Sequence, residues 1–381
     1  MNKLNIETKF SKTYDNCDPN RESIKRYDRE TRKYLEPVCD YTLPRDLDFI
    51  LGPHVFAEFN IPGNNKIAIF GERHSIDYEA YLELTQYESL PFSSFLKSLL
   101  IVNPEITYDF FLELDYIDSI NRFRNMVYDD SGKMIQLIET DLYGCFQFVK
   151  NCPYPNLKAH YIDYRVNWKK EYLYKELYPL LILKNELRKN PGLVIYSEGY
   201  KILQNPVKLY AEQYAFIKNE INNNIIAKEL LRNPYAGKIK KFIYEKLNLA
   251  KRSFKLFFKK NATKLNFIKN NDVMAVECTE ILPALALEFV YTARLIMDIY
   301  CLARLTRKTL SDISQASRTI VYAGAEHAKT YIEFFNYIRA ELVYSSDLDP
   351  EKFGGSGDHS LFPGVYCSDE TKALSFLFDS P

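Results

Sequence analysis

The stretch IAIFGERHSID, residues 67–77, decides how this chain is read. Ile67–Phe70 is a short, uninterrupted apolar run, the pattern of a strand buried on both faces in a parallel sheet. Gly71 ends the run, and three residues later comes His74, one of five histidines in 381 residues. Taken alone, His74 is either a group placed for chemistry or an ordinary turn residue. A second stretch, IVYAGAEHAK at 320–329, repeats the plan: apolar strand, Gly324, two residues, His327.

Between these two stretches lie further strand candidates. TYDFFLEL (107–114) is rich in Tyr, Phe and Thr, residues that suit a pleated surface, and KAHYIDYR (158–165) is a third strand candidate. Helical patterns separate them: DYEAYLELTQYESL, PFSSFLKSLLIV, YIDSINRFRNMVY and KMIQLIETDLYGCFQFVK. Strand–helix alternation predicts an α/β fold with a mostly parallel central sheet and crossover helices. Residues 171–270 break that rhythm with long helical patterns and read as a helical insertion. The expected organisation is therefore an N-terminal extension (1–50), a first half of the core (51–170), the insertion, a second half opening with a helix at about 272–308 (271–345), and a tail (346–381). In the second half, AEHAKTYIEFFNYIRAEL reads as one helix, and PGVYCS in the tail is a candidate edge strand.

Composition excludes several classes. Lys+Arg and Asp+Glu are both 50, so global charge argues for neither nucleic acid nor membrane binding, although a local patch still could. Such a patch exists: residues 238–269 carry eleven Lys or Arg and one acid, Glu245, with Phe254, Phe257 and Phe258 interleaved. It reads either as a solvated helix face or as a surface for nucleic acid or anionic lipid. The seven cysteines form no CxxC pair, so a zinc ribbon is not expected and no disulfide framework is needed. The polar N-terminus does not resemble a signal peptide, and no apolar run is long enough for a transmembrane span. These features lead to the expectation of an intracellular, cytoplasmic protein.

Ligands of open parallel sheets bind outside the carboxyl ends of the strands. Each predicted strand ends there in polar residues: Glu72-Arg73-His74, Glu113 and Asp115, Asp163 and Arg165, and Glu326-His327. Imidazole and carboxylate can ligate a divalent metal, or act as general base and acid. Arg165 could hold an anionic group or an oxyanion. The glycines permit close backbone approach or positive φ. The competing structural readings are helix N-terminal charge for Glu72 and Glu326 and a structural ion pair for Asp163–Arg165. On the helix YTARLIMDIYCLARLTR, Arg294 and Asp298 form either a structural pair or a rim element. His160 reads as core or sheet surface.

Two GxxH motifs, each closing a strand and far apart in the chain, resemble the TIKI/TraB family, within the wider group of erythromycin esterases and ChaN-like haem-binding proteins. GERH also resembles the start of the ChaN-like members. The resemblance covers roughly residues 60–170 and 272–340. It implies a metal-dependent hydrolase of peptide or ester bonds acting on a peptide or small molecule, with Mn, Co or Zn as candidate metals. His74, His327 and Glu113 would be the ligands, Glu72 or Glu326 the acid/base, and Arg165 or Arg294 the stabiliser of negative charge. Haem is the alternative that the ChaN-like relatives imply, and a non-catalytic binding or virion-associated protein is another. Abundant Asn, Lys, Ile and Tyr together with these motifs is similar to proteins of large DNA viruses, in which the setting would be host cytoplasm or virion.

Overall fold

The computed structural model describes residues 26–28, 33–35, 49–61, 65–72, 89–114, 135, 138–139, 142, 145–146, 152–163, 205–231, 233–270, 278–307, 317–347 and 364–366. In chain order the strands are β1 (Arg26–Asp28), β2 (Lys33–Leu35), β3 (Phe49–Leu51), β4 (Pro53–Ile61), β5 (Asn65–Glu72), β6 (Ser89–Pro91), β7 (Thr107–Leu112), β8 (Leu157–Tyr161), β9 (Ser317–Gly324), β10 (Glu341–Asp347) and β11 (Gly364–Tyr366). The helices are α1 (Phe92–Val102), α2 (Pro206–Asn223), α3 (Ile225–Leu230), α4 (Ala236–Asn270), α5 (Cys278–Leu305) and α6 (Ala325–Tyr337). The chain divides into two compact units, residues 1–161 with 309–381, and residues 162–308.

The first unit is α/β. Its six-stranded sheet has the order β10-β4-β5-β9-β7-β8. The four strands expected from the sequence, β5, β9, β7 and β8, are mutually parallel neighbours. Their spatial order places the last of them in sequence, β9, between the first two. An antiparallel pair that the sequence pattern does not reveal, β4 and β10, extends the β5 edge. β4 escapes a periodicity search because PHVFAEFNI carries a buried acid, Glu58, amid buried apolar residues. β10 begins where the helical pattern of AEHAKTYIEFFNYIRAEL still continues. The helix α6 stops short of it, at Tyr337, because Arg339 takes a left-handed φ of 60°. The Ala340 N–H then donates to the Phe335 carbonyl and the Arg339 N–H to that of Asn336. This is a Schellman closure with arginine where glycine is usual, so no glycine marks the helix end. The strand expected at PGVYCS is present as β11, in a separate small sheet with β3 and β6.

Alternation along the strands sends side chains to both faces, and both are covered. On one face Phe56, Phe70, Phe110 and Tyr322 pack with Phe92, Phe95 and Leu96 of α1 and with Ile135, Ile138 and Leu142. Phe92 is the centre of this layer, with ring centroids 4.8 Å from Phe70, 4.5 Å from Tyr322, 6.3 Å from Phe110 and 6.0 Å from Phe95. On the other face α6 lies over β4, β5 and β9, with Tyr331, Phe334 and Phe335 fully buried. At the amino end of the sheet, Asn156 Nδ2 donates to the carbonyls of Leu100, Asn103 and Ile106, which closes the α1–β7 turn against β8. Cys145 and Cys152 are joined by a disulfide. The sequence does not single out this pair: the two residues lie seven apart, a spacing that signals no motif, and the fold brings the two thiols together.

The second unit is helical. The helix expected at 272–308 as part of the α/β core belongs here instead: α5 groups with α2, α3 and α4. Asn205 caps α2 by accepting from Lys208 N–H, with Pro206 at the first helical position. Tyr210 stacks on Phe254 at 3.9 Å and shares a 2.8 Å hydrogen bond with Thr292. Burial pushes its phenol up to about 12. Burial also raises the Glu288 carboxyl above its usual range, partly countered by the bond it accepts from Ser253. The helical pattern KKEYLYKELYPLLILKNELRK lies outside the described residues. Among the described residues, no helix is long and apolar enough to cross a membrane.

Candidate active site at the carboxyl rim

Glu113 is the first residue after β7. Its N–H donates to the Tyr322 carbonyl, which carries the β7–β9 ladder one residue past the strand. The position is opposite the point where β9 turns into α6. There Gly324 is the helix N-cap, and its N–H donates to Glu113 Oε2 at 2.5 Å. The other carboxylate oxygen, Oε1, lies 3.3 Å from His327 Nε2, and both side chains are buried, 6% and 8% exposed. A carboxylate at a helix N-terminus is favoured by the helix dipole, and here the same carboxylate also stands beside an imidazole.

His327 stands in the first turn of α6 because Gly324 ends β9 with φ −60° and ψ 145° and the helix begins at once. Gly324 therefore needs no positive φ. Gly71 does not end its strand, contrary to the pattern of the apolar run: β5 runs through it to Glu72, with Gly71 paired to Ala323 and Glu72 to Gly324. A Cβ at residue 71 would lie 2.7 Å from Ala328 Cβ and 3.0 Å from Ala325 Cα. The first turn of α6, carrying His327, rests directly on this glycine.

Glu72 is 1% exposed and accepts a 2.7 Å hydrogen bond from the Tyr322 hydroxyl. Tyr322 packs on Phe92 of α1, whereas Glu113 is tied to α6. The rim thus holds two buried carboxylates, Glu72 bonded to the Tyr322 hydroxyl and Glu113 to the Gly324 N–H. The next chain residues after Glu72 lead to His74.

No family model, curated protein or solved structure matches this chain.

Of the other expected site residues, Glu326 is exposed in the first turn of α6, where its charge suits the helix dipole. Arg294 belongs to the helical unit, on α5, with its guanidinium 4.9 Å from the centroid of the Tyr291 ring. Asp298, one turn later, is fully buried. Asp163 follows β8 and is half-buried. His74, Arg165 and Asp115 lie outside the described residues. Among the described residues, no three His, Cys, Asp or Glu side chains gather as a metal site. His160 is sheet surface, stacked 4.6 Å from Phe111 and 3.2 Å from Asp109 Oδ1.

Two polar groups of this end of the sheet are not singled out by sequence reasoning. In the sequence Tyr322 is one apolar strand residue among others, yet a buried phenol needs a hydrogen-bond partner. Glu139, 2% exposed, accepts from the hydroxyl of Tyr161, the last residue of β8. A signal for it exists: it lies on the apolar stripe of Ile135, Ile138 and Leu142, where an acid is costly unless paired. Tyr322→Phe is expected to cost about 1–3 kcal/mol, because buried Glu72 Oε2 then loses this donor. Urea denaturation checks this; a loss below about 0.5 kcal/mol would mean that water or another donor replaces the phenol.

Proposed function

We propose that this protein is a hydrolase of amide or ester bonds, with the Glu113–His327 pair at the carboxyl rim of the sheet as its reacting centre. The observation that carries the reading is a buried imidazole held 3.3 Å from a buried carboxylate that is itself anchored by a helix N-cap amide. Carboxylate-oriented imidazole is the arrangement of a general base. In this role His327 accepts a proton from water, the water oxygen attacks the substrate carbonyl carbon, and the returning proton leaves with the amine or alcohol. Glu113 keeps the ring oriented.

The same donor set suits a divalent cation such as Zn, Mn or Co. Two ligands of a tetrahedral zinc, each bound at about 2.0–2.1 Å, stand about 3.3 Å apart, which is the Oε1–Nε2 separation. Glu113 Oε1 and His327 Nε2 would hold the metal, with His74 as the third ligand the GxxH resemblance implies. When bound, such an ion polarises a carbonyl and makes water more acidic. Glu72, tied to Tyr322, would fix the point from which the chain departs towards His74.

The test is metal analysis of the purified protein together with hydrolysis of a panel of activated esters and short peptides. Wild type is expected to hydrolyse at least one class. Glu113→Gln and His327→Ala are each expected to lower the rate at least about 100-fold. About one equivalent of metal, lost in both variants, supports the metal-dependent form; its absence in an active wild type leaves the acid–base form. No hydrolysis by wild type, with the variants altered in stability alone, would make the pair a structural clamp between β7 and α6 and overturn the proposal.

A further inference from the structure

The basic segment is α4, 35 residues and about 50 Å long. Its inner face is apolar: Ile239, Phe242, Ile243, Leu247, Phe254 and Leu265 are buried. The outer face follows the 3–4 spacing of one helix side. It reads Lys238, Lys241, Glu245, Leu249, Arg252, Leu256, Lys259, Thr263, and every one of these residues is exposed. Lys255 and Lys260 flank the line and are also exposed. Leu249 and Leu256 stand two turns apart on this face, 57% and 68% exposed. Within a chain of zero formal net charge, this face gathers cations around a single acid.

Charge of this sign calls for an anionic partner. Two of the phenylalanines that could stack on bases are engaged within the helical unit: Phe254 is buried against Tyr210, and Phe258 stacks on Phe254. Among the described residues, the apolar side chains exposed on this helix are Leu249 and Leu256, which have no π-face for a nucleobase but enter hydrocarbon readily. Lysine outnumbers arginine, which suits diffuse attraction to a charged surface more than bidentate base readout. We propose that the outer face of α4 docks the protein on an anionic lipid bilayer, with Lys238, Lys241, Arg252, Lys255, Lys259 and Lys260 over the headgroups and Leu249 and Leu256 inserted between them. The attachment is peripheral: a lysine-lined face with two leucines binds reversibly and weakens with salt.

Flotation of the full-length protein with vesicles tests this, using phosphatidylcholine alone and phosphatidylcholine with about 30 mol % phosphatidylserine. Wild type is expected to float with the anionic vesicles at about 0.1 M salt, not with the neutral ones, and to detach as salt rises. R252E/K259E is expected to weaken binding at least about tenfold, and L249S/L256S about fivefold or more. These positions are exposed, so circular dichroism and thermal melting should match wild type. No flotation of wild type, or equal flotation of both folded variants, overturns the proposal. Tighter binding to a single-stranded oligonucleotide, insensitive to L249S/L256S, also overturns it, in favour of nucleic acid.

Discussion

Gly71→Ala is expected to destabilise the α/β unit by about 2–3 kcal/mol, as judged from the midpoint of urea unfolding followed by circular dichroism. The new methyl would meet Ala328 Cβ at 2.7 Å and Ala325 Cα at 3.0 Å, closer than packed carbons approach. One obstacle is a side chain and the other is backbone, so relief can be only partial. Ala328→Gly in the same chain should recover about 1 kcal/mol, a coupling that two independent sites would not show. Gly71→Val, with two further methyls, should leave no stable unit. The effect on function is set by position: moving the first turn of α6 off β5 moves His327 away from Glu113. Any hydrolytic or metal-binding property of the pair should therefore fall with Gly71→Ala even where the protein remains folded. A cost below about 0.5 kcal/mol would mean that α6 is not seated on β5 as described.

Phe92→Ala is expected to cost about 3–5 kcal/mol, the range for truncating a buried aromatic side chain. Phe92 is fully buried and opens α1. Its ring lies against Phe70 of β5, Tyr322 of β9 and Phe110 of β7, three neighbouring strands of the sheet. Removing it leaves a cavity beneath all three. Phe92→Leu keeps most of the volume and should cost less, about 1–1.5 kcal/mol. The two substitutions separate packing from hydrophobic transfer. Tyr322 also loses the ring that braces it, so the damage from Phe92→Ala and Tyr322→Phe should not add; the two share one contact. Equal, small costs for both Phe92 variants would mean that the layer collapses around the gap.

Much of the rim is legible in the sequence because its signals are local. The apolar runs of β5, β7 and β9 each end in polar residues within one or two positions, and a parallel sheet gathers such ends on one edge. Glu113 and His327 are therefore recognisable as neighbours in kind. Their contact is not. It requires β9 to lie beside β7, and the Gly324–Glu113 bond spans 211 residues. Tyr322–Glu72 spans 250. The end of α6 is illegible for the opposite reason: the deciding residue, Arg339, is one whose type gives no hint of a left-handed conformation.

The features legible in the chain alone are local and compositional: an α/β core of parallel strands, a long basic helix, and polar residues at strand ends. These depend on side-chain periodicity within windows of a few residues, which one chain displays in full. The strand order β5-β9-β7-β8, the joining of Glu113 to His327, the burial of Phe254 beneath α4's cationic face, and the contact of α6 with Gly71 arise from packing between distant segments. The physical reason is shared. Which strands become neighbours, and which face of a helix turns inward, is set by hydrogen bonding and packing between segments remote in the chain. No local pattern specifies that choice.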